Sequence, residues 1–335
     1  CSFGMSGKVF HAPFIHASPL FCLVGVWERS KKIARQSYPD IISYDTLEEV
    51  LEDDQVELVI VNTPSVTHYE YARKVLLAEK NVLIEKPFTA SAKQAQDLIA
   101  LAEERKVSLS VFHNRRYDSD FLTVQKVLAR NVLGRLVEME LHFDRFHPNL
   151  SYKSHKEVPT EAVGSLYDLG SHLIDQALVL FGMPLEIYAD LDILRSDSKV
   201  VDYFDIKLYY NSFRVILKSS YFVKKPQAAY ILHGHLGSFI KERADPQEVD
   251  LIAGVSPVDT DFGLEPSATH GSLYLDDTVE KLPSERGCYM TFFDVLHDGI
   301  RDGGRMPVSG AEAMQVIKII ELAIKSDMVK RRVKL

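Results

Sequence analysis

Two residue groupings in this chain could carry out chemistry on a small molecule. Asp168 and His172 stand four residues apart within the stretch from Gly164 to Gln176, which reads Gly-Ser-Leu-Tyr-Asp-Leu-Gly-Ser-His-Leu-Ile-Asp-Gln. Residues at i and i+4 share a helix face, so carboxylate and imidazole would project together. An imidazole can take up or release a proton near neutrality, and a neighbouring carboxylate or lysine tunes it for that task. The same spacing also suits a purely structural pair on an amphipathic helix. Gly170 between them is costly in a helix and suggests a close backbone approach. The second grouping is Glu85-Lys86-Pro87, at the end of the apolar run 81–84. A lysine there, given direction by the proline beside it, could reach a cofactor and a substrate together; otherwise it is an ordinary strand-end salt bridge.

The start of the chain offers a place for a dinucleotide. Gly4 and Gly7, in Ser2-Phe3-Gly4-Met5-Ser6-Gly7, have the spacing of the last two glycines of G-x-G-x-x-G. Gly4 would let backbone approach a pyrophosphate, and Gly7 would let a helix pack closely on a sheet. Met5 and Ser6 would lie in the same loop. Ser2 replaces the first glycine, and the strand that should precede the loop is lacking apart from Cys1, which suggests that the sequence as given is incomplete. About twenty residues on, Glu28 follows an apolar run, where an acidic side chain would accept from ribose hydroxyls. Arg29 and Ser30, with Lys31, offer donors for a 2′-phosphate instead. Both NAD and NADP therefore fit, with the donors favouring NADP; a solvated loop is the plain alternative. Thr63, Pro64 and His68 follow the strongest strand at its carboxyl end, where open α/β sheets bind ligands. His68 suits a helix-start surface position equally well.

The elements needed to hold these residues can be read from periodicity. Residues 21–27, 56–62, 81–84 and 107–112 read as buried strands, and 46–51, 68–78 and 92–104 as the helices linking them. This alternation predicts a doubly wound parallel sheet, with 56–62 covered on both faces. After residue 137 the rhythm changes to period two. Strands are predicted at 137–146, 187–194, 203–210, 214–221 and 230–235, with a helix at 166–181, as in an open, mainly antiparallel sheet. A final helix over 311–326 would start at Ser309 as its N-cap. The expected organisation is α/β overall: a Rossmann domain over 1–117 and an α+β domain over 118–335 for substrate and oligomerisation.

The chain has 335 residues, enough for two cores, and its net charge of −8 disfavours nucleic acid as a partner. No apolar run approaches a membrane span. Cys1, Cys22 and Cys288 show no metal spacing and are expected to be reduced, mostly buried thiols of a cytoplasmic protein. The histidines outside the pair show no convincing ligand pattern, and no metal is expected.

Several stretches together resemble the Gfo/Idh/MocA family of oxidoreductases across nearly the whole chain. They are Gly4-Met-Ser-Gly-Lys-Val-Phe-His-Ala-Pro13, Glu85-Lys-Pro-Phe88, His113-Asn-Arg-Arg-Tyr-Asp118 with the residues to Thr123, Gly164 to Gln176, and His233 to Lys241. The likeness is greatest to the branch containing NADP-dependent scyllo-inositol dehydrogenases. The resemblance implies that Lys86 orients substrate and contacts nicotinamide, that His172 is the general acid/base, and that Asp168 binds substrate. It implies that Asn114 and Arg115 lie near the nicotinamide, with Asp118 and Arg145 as further substrate contacts. It implies hydride transfer between NAD(P) and a hydroxyl carbon of a polyol, inositol or sugar, in a homodimer or homotetramer built on the open sheet. A catalytically weak sensor that binds NAD(P) and a sugar is the competing reading, and the retention of Lys86, Asp168 and His172 counts against it. So does it against chemistry on an aromatic substrate. Between Pro148 and Gly164 the family's usual substrate-contacting residues find no match, and this stretch is expected to set specificity.

Overall fold

The computed structural model describes residues 1–29, 32–153 and 156–335. The chain divides into two units, neither continuous in sequence. The first comprises Cys1–Asn114, Pro246–Gly263 and Cys288–Met314; the second comprises Arg115–Asp245, Leu264–Gly287 and Gln315–Leu335.

In the first unit, β1 (Gly25–Trp27) pairs in parallel with β2 (Ile42–Tyr44). A separate parallel sheet runs β3 (Leu58–Val61), β4 (Asn81–Glu85), β5 (Leu109–Phe112). Helices Leu47–Glu52, His68–Leu77 and Ala92–Arg105 alternate with these strands, as the apolar spacing requires. Thr46 and Ser91 cap two of them, accepting from Glu49 N at 3.1 Å and Gln94 N at 3.3 Å. All of β5 and the centre of β4 are buried, as fully covered strands should be. β3 differs from expectation. Val59 and Val61 are buried, but Leu58 and Ile60 are only half-buried. They line a cavity of about 420 Å³ whose wall also includes Val24 to Trp27. The strand expected at 21–27 is likewise regular only over Gly25–Trp27. Cys22 lies in the irregular stretch before it and is exposed, while Cys1 and Cys288 are partly exposed. The buried thiols that composition predicts are therefore not found.

The second unit is built on a nine-stranded sheet. Its strands are β6 (Leu136–His142), β7 (Glu186–Asp192), β8 (Tyr203–Tyr209), β9 (Arg214–Ser220) and β10 (Tyr230–Gly234). They continue with β11 (Gly237–Lys241), β12 (Gly271–Leu275), β13 (Thr278–Leu282) and β14 (Val333–Lys334). The order is β13-β12-β11-β10-β6-β9-β8-β7-β14, antiparallel except for the central β6–β9 pair. On β8, Phe204, Ile206 and Leu208 are buried and alternate with partly exposed neighbours, the signature of a sheet with one covered face. The cover includes the 166–181 segment, which packs on β8 and β9. Leu173, Ile174 and Ala177 are fully buried there. Burial of the two larger side chains stabilises by roughly 1.5–3 kcal/mol each.

Periodicity predicts a single α-helix over that segment. Instead it opens with a wide π turn, Leu166–Gly170, and becomes α-helical at Ser171–Phe181. Entry to the turn is fixed by Gly164, whose φ is +96° and whose Cβ, if present, would lie 2.9 Å from the Val201 carbonyl oxygen. Gly170 packs against side chains, Leu166 and the Phe204 ring, and not against the backbone that the sequence suggests. The last long helix, Gly310–Val329, begins as expected at Ser309. Ser309 Oγ accepts from Glu312 N at 3.2 Å while Glu312 Oε2 accepts from Ser309 N at 2.9 Å, a reciprocal capping box.

Candidate active site

In the first unit the glycine loop closes over the end of β3. The Cys1 nitrogen donates to Ile60 O at 2.6 Å, and Asn62 Nδ2 donates to Ser2 O at 3.0 Å. A Cβ on Gly7 would stand 2.3 Å from Ser2 O and 2.9 Å from Asn62 Nδ2, so only glycine fits. A Cβ on Gly4 would meet nothing nearer than Ser2 Oγ at 3.5 Å. Protein packing does not demand glycine at position 4; an approaching phosphate would. Ser2, in the place of the first fingerprint glycine, uses its hydroxyl to accept from Gly4 N at 3.3 Å and so helps to shape the loop. Gly4 and Met5 are exposed, and Ser6 is partly buried. The chain then enters a π turn, Gly7–His11, and the helix Ala12–Ala17.

Ser6 ties this loop to the lysine motif. Its hydroxyl donates to Glu85 Oε1, which also meets His11 Nε2 at 2.9 Å. Burial pushes the Glu85 carboxyl upward, but His11, the Ser6 hydrogen bond and Lys86 outweigh it and leave the pKa lowered. Glu85 thus stays a carboxylate immediately before Lys86, whose backbone N–H it accepts at 3.2 Å. The Lys86-Pro87 bond is cis. His68 is buried with its ring between the carbonyls of Pro87 at 2.8 Å and Thr63 at 2.9 Å. Burial lowers its pKa against the pull of those two carbonyls. It braces both Thr63 and the lysine motif from inside, while Pro64 is exposed at the surface. Glu28 is also buried: its two carboxylate oxygens accept from Ile33 N at 3.0 Å and Ala34 N at 2.9 Å. Arg29 is exposed; Ser30 and Lys31 lie outside the described residues.

Asn114, which is buried, ends the first stretch of that unit. In the second unit, Arg115 Nη1 is 3.0 Å from Asp118 Oδ2 and 2.6 Å from Asp245 Oδ2, and Asp118 is itself buried. Arg116 forks onto Asp175 at 2.9 and 2.7 Å.

His172 is 5% exposed, with its ring centroid 6.3 Å from that of Phe143. The Arg145 guanidinium lies over the same Phe143 ring at 4.8 Å, and that of Arg243 at 4.0 Å. Asp168 is more open, and Lys156 Nζ reaches its Oδ2 at 3.1 Å. The Tyr221 phenol is pushed up to about 12, first by desolvation and then by the charge of Asp168, with Arg195 and Arg145 opposing. His172 and Arg145 thus lie against Phe143, while Asp168 and Arg145 are within electrostatic reach of Tyr221. Sequence reasoning did not pick out Lys156, Tyr221, Phe143, Arg243 or His11 as site residues. Only His11, one turn beyond Gly7, carried a local signal; the others come from distant strands and loops.

Residues 2–113 match the NAD-binding Rossmann-fold domain of an oxidoreductase family, Gfo/Idh/MocA, and residues 125–335 match its C-terminal alpha/beta domain. The chain is 37% identical to the scyllo-inositol 2-dehydrogenase (NADP(+)) IolW of Bacillus subtilis, over 99% of this chain and 94% of that protein. It is 36% identical to the uncharacterized oxidoreductase YdgJ of Escherichia coli, over 97% of this chain and 94% of that one. Among solved structures, the Bacillus subtilis oxidoreductase yvaA superposes with a TM-score of 0.95 at 37% identity, covering 99% of this chain and 96% of that one. An oxidoreductase from Bacteroides fragilis gives 0.91 at 41% identity, covering 100% and 98%. An NAD-binding Rossmann domain followed by the family's alpha/beta domain defines a nicotinamide-dependent oxidoreductase. The chain belongs to the Gfo/Idh/MocA family and is an NAD(P)-dependent dehydrogenase.

Proposed function

We propose that this dehydrogenase acts on a hydroxyl carbon of a polyol, an inositol or a related sugar, with NADP as its preferred cofactor. The observation that carries the reading is the helix start in the second unit, where a nearly buried imidazole, His172, follows a solvent-open carboxylate, Asp168. Likeness to a protein named as an NADP-dependent scyllo-inositol dehydrogenase supports the substrate class. The nicotinamide, when bound, supplies the hydride acceptor or donor. Lys86 orients the reacting hydroxyl, His172 takes its proton, and Asp168 accepts from substrate hydroxyls. Gly4, Met5, Ser6 and Gly7 hold the pyrophosphate, and Thr63, Pro64, Glu85, Asn114 and Arg115 frame the cofactor. His68 contributes by bracing Thr63. Arg145 faces substrate, and Asp118 acts by holding Arg115.

The preference for NADP rests on Glu28. Both its oxygens are taken by backbone N–H groups, so the carboxylate would have to leave them to bind ribose hydroxyls. Arg29 is the exposed charged side chain next to it, suited to a 2′-phosphate. Fluorescence titration with NADPH and NADH tests this. NADPH should bind the more tightly, and Arg29→Ala should weaken it by about 10–100-fold, as expected for loss of a charge-assisted contact, with little effect on NADH. Preference for NADH would overturn the cofactor assignment; failure to oxidise any polyol would overturn the substrate class. The partly exposed sheet face bearing Tyr203, Lys207, Tyr209 and Ile216 is the surface we assign to pairing of copies, as a dimer or tetramer. Sedimentation of the full chain reads this directly.

A further inference from the structure

The stretch just before the Asp168 turn carries a residue placed for recognition. Arg195 is almost wholly buried and ties Asn149 and Glu157 to the 195–202 turn. Its Nη1 and Nη2 donate to the two Glu157 oxygens at 3.0 and 3.1 Å, its Nε to Asp202 Oδ2 at 2.8 Å, and its Nη1 also to Asn149 O at 3.2 Å. Glu157 Oε1 in turn accepts from Ser151 N at 2.8 Å. A buried cation with one buried and one partly exposed carboxylate is weak as a source of net stability. It is effective at fixing where a loop goes. What it fixes is Lys156, next in sequence to Glu157, with its ammonium 3.1 Å from Asp168 and 48% of its side chain exposed.

We infer that Lys156 is a substrate-binding residue and that Lys156 and Asp168 together read a vicinal diol. The inference rests on the polyol reading of the preceding subsection. An ammonium has only donors to offer, and a carboxylate only acceptors. Held side by side, they complement two neighbouring hydroxyls: Asp168 accepts from one, and Lys156 donates to the oxygen of the next. A ligand with a single hydroxyl satisfies half of the pair. Lys156 has three N–H donors, and its ion pair with Asp168 leaves the side chain half-exposed, so the pair need not break for a diol to bind. The charges of both Asp168 and Arg145 are felt at the Tyr221 phenol, the first raising and the second lowering its pKa.

The experiment is steady-state oxidation of scyllo-inositol and of a monodeoxy inositol with NADP+, using the full chain, Lys156→Ala and Lys156→Arg. Lys156→Ala should raise KM for scyllo-inositol about tenfold, or ~1.4 kcal/mol, with kcat changed less than about threefold and NADPH binding unchanged. The monodeoxy inositol lacking the second hydroxyl should bind the wild type and Lys156→Ala alike, and Lys156→Arg should restore most of the lost affinity. If the wild type oxidises scyllo-inositol and Lys156→Ala does so with the same KM, the inference is overturned and the polyol reading stands. A fall in NADPH binding or thermal stability in place of the KM change also overturns it, because that is a structural role. If the wild type oxidises no polyol at all, the functional reading falls, whatever Lys156 does.

Discussion

The glycine loop with Lys86 and the helix start with Asp168 and His172 are held in place by different means. The first is fixed by backbone proximity: Gly7 against the Ser2 carbonyl, Asn62 on Ser2, and a short link from Ser6 through Glu85 to Lys86. Asn62 and Lys86 follow the carboxyl ends of β3 and β4, neighbouring parallel strands whose geometry already brings them close. The second is fixed by charged side chains: Lys156 on Asp168, Arg195 on Glu157 and Asp202, and guanidinium groups on Phe143. A loop that cradles a constant ligand can be built into the backbone. A pocket that chooses among similar substrates is built from side chains, which can change without disturbing the sheet beneath.

That contrast can be broken by substitution. The largest effect is expected from His172→Asn, which should lower kcat by about 10²–10⁴-fold and leave the NADPH titration unchanged; loss of cofactor binding would mean that the two regions do not divide the work. Next is Arg195→Ala. Buried Asp202 and partly buried Glu157 would lose their cation, at a cost of about 3–5 kcal/mol in urea unfolding, and a cost under 1 kcal/mol would show that the clamp is not buried in solution. Gly7→Ala should cost about 1–3 kcal/mol, read chiefly as NADPH affinity reduced by about 10–100-fold, because the offending atom is a backbone oxygen that cannot swing aside. Ser309→Ala, remote from both regions, should cost only about 1 kcal/mol in stability and leave KM and kcat alone. An effect on turnover there would blur the comparison.

The sequence revealed the two regions unequally for the same reason. Gly4 and Gly7, Lys86, and the spacing of Asp168 and His172 are local patterns, and parallel strands with linking helices follow from short-range periodicity. Ser309 could be named as a cap because capping is a contact over three residues. By contrast, neither Arg195 nor Lys156 stands in a recognisable motif, and their partners are set by the tertiary fold. The orientation of Glu28 also escaped prediction. A carboxylate at a strand end looks available for ribose, yet the chain turns so that two backbone N–H groups claim it first. The π turn at Leu166–Gly170 was hidden because residue periodicity cannot distinguish one widened turn from a regular one.

The edge of β5 has a consequence for how the protein is made. Val111 N donates to Val308 O at 3.2 Å, and Ser110 Oγ donates to the same carbonyl at 2.8 Å across 198 residues of chain. At the ribosome, with synthesis at roughly 5–20 residues per second, Val308 emerges about 10–40 s after β5. For that interval the nascent sheet presents an open, apolar edge of the kind that pairs with stray strands. The edge stays open until the last tenth of the chain arrives. A nonsense or frameshift product ending before residue 308 would keep that edge exposed permanently, which makes it a candidate for aggregation and rapid degradation.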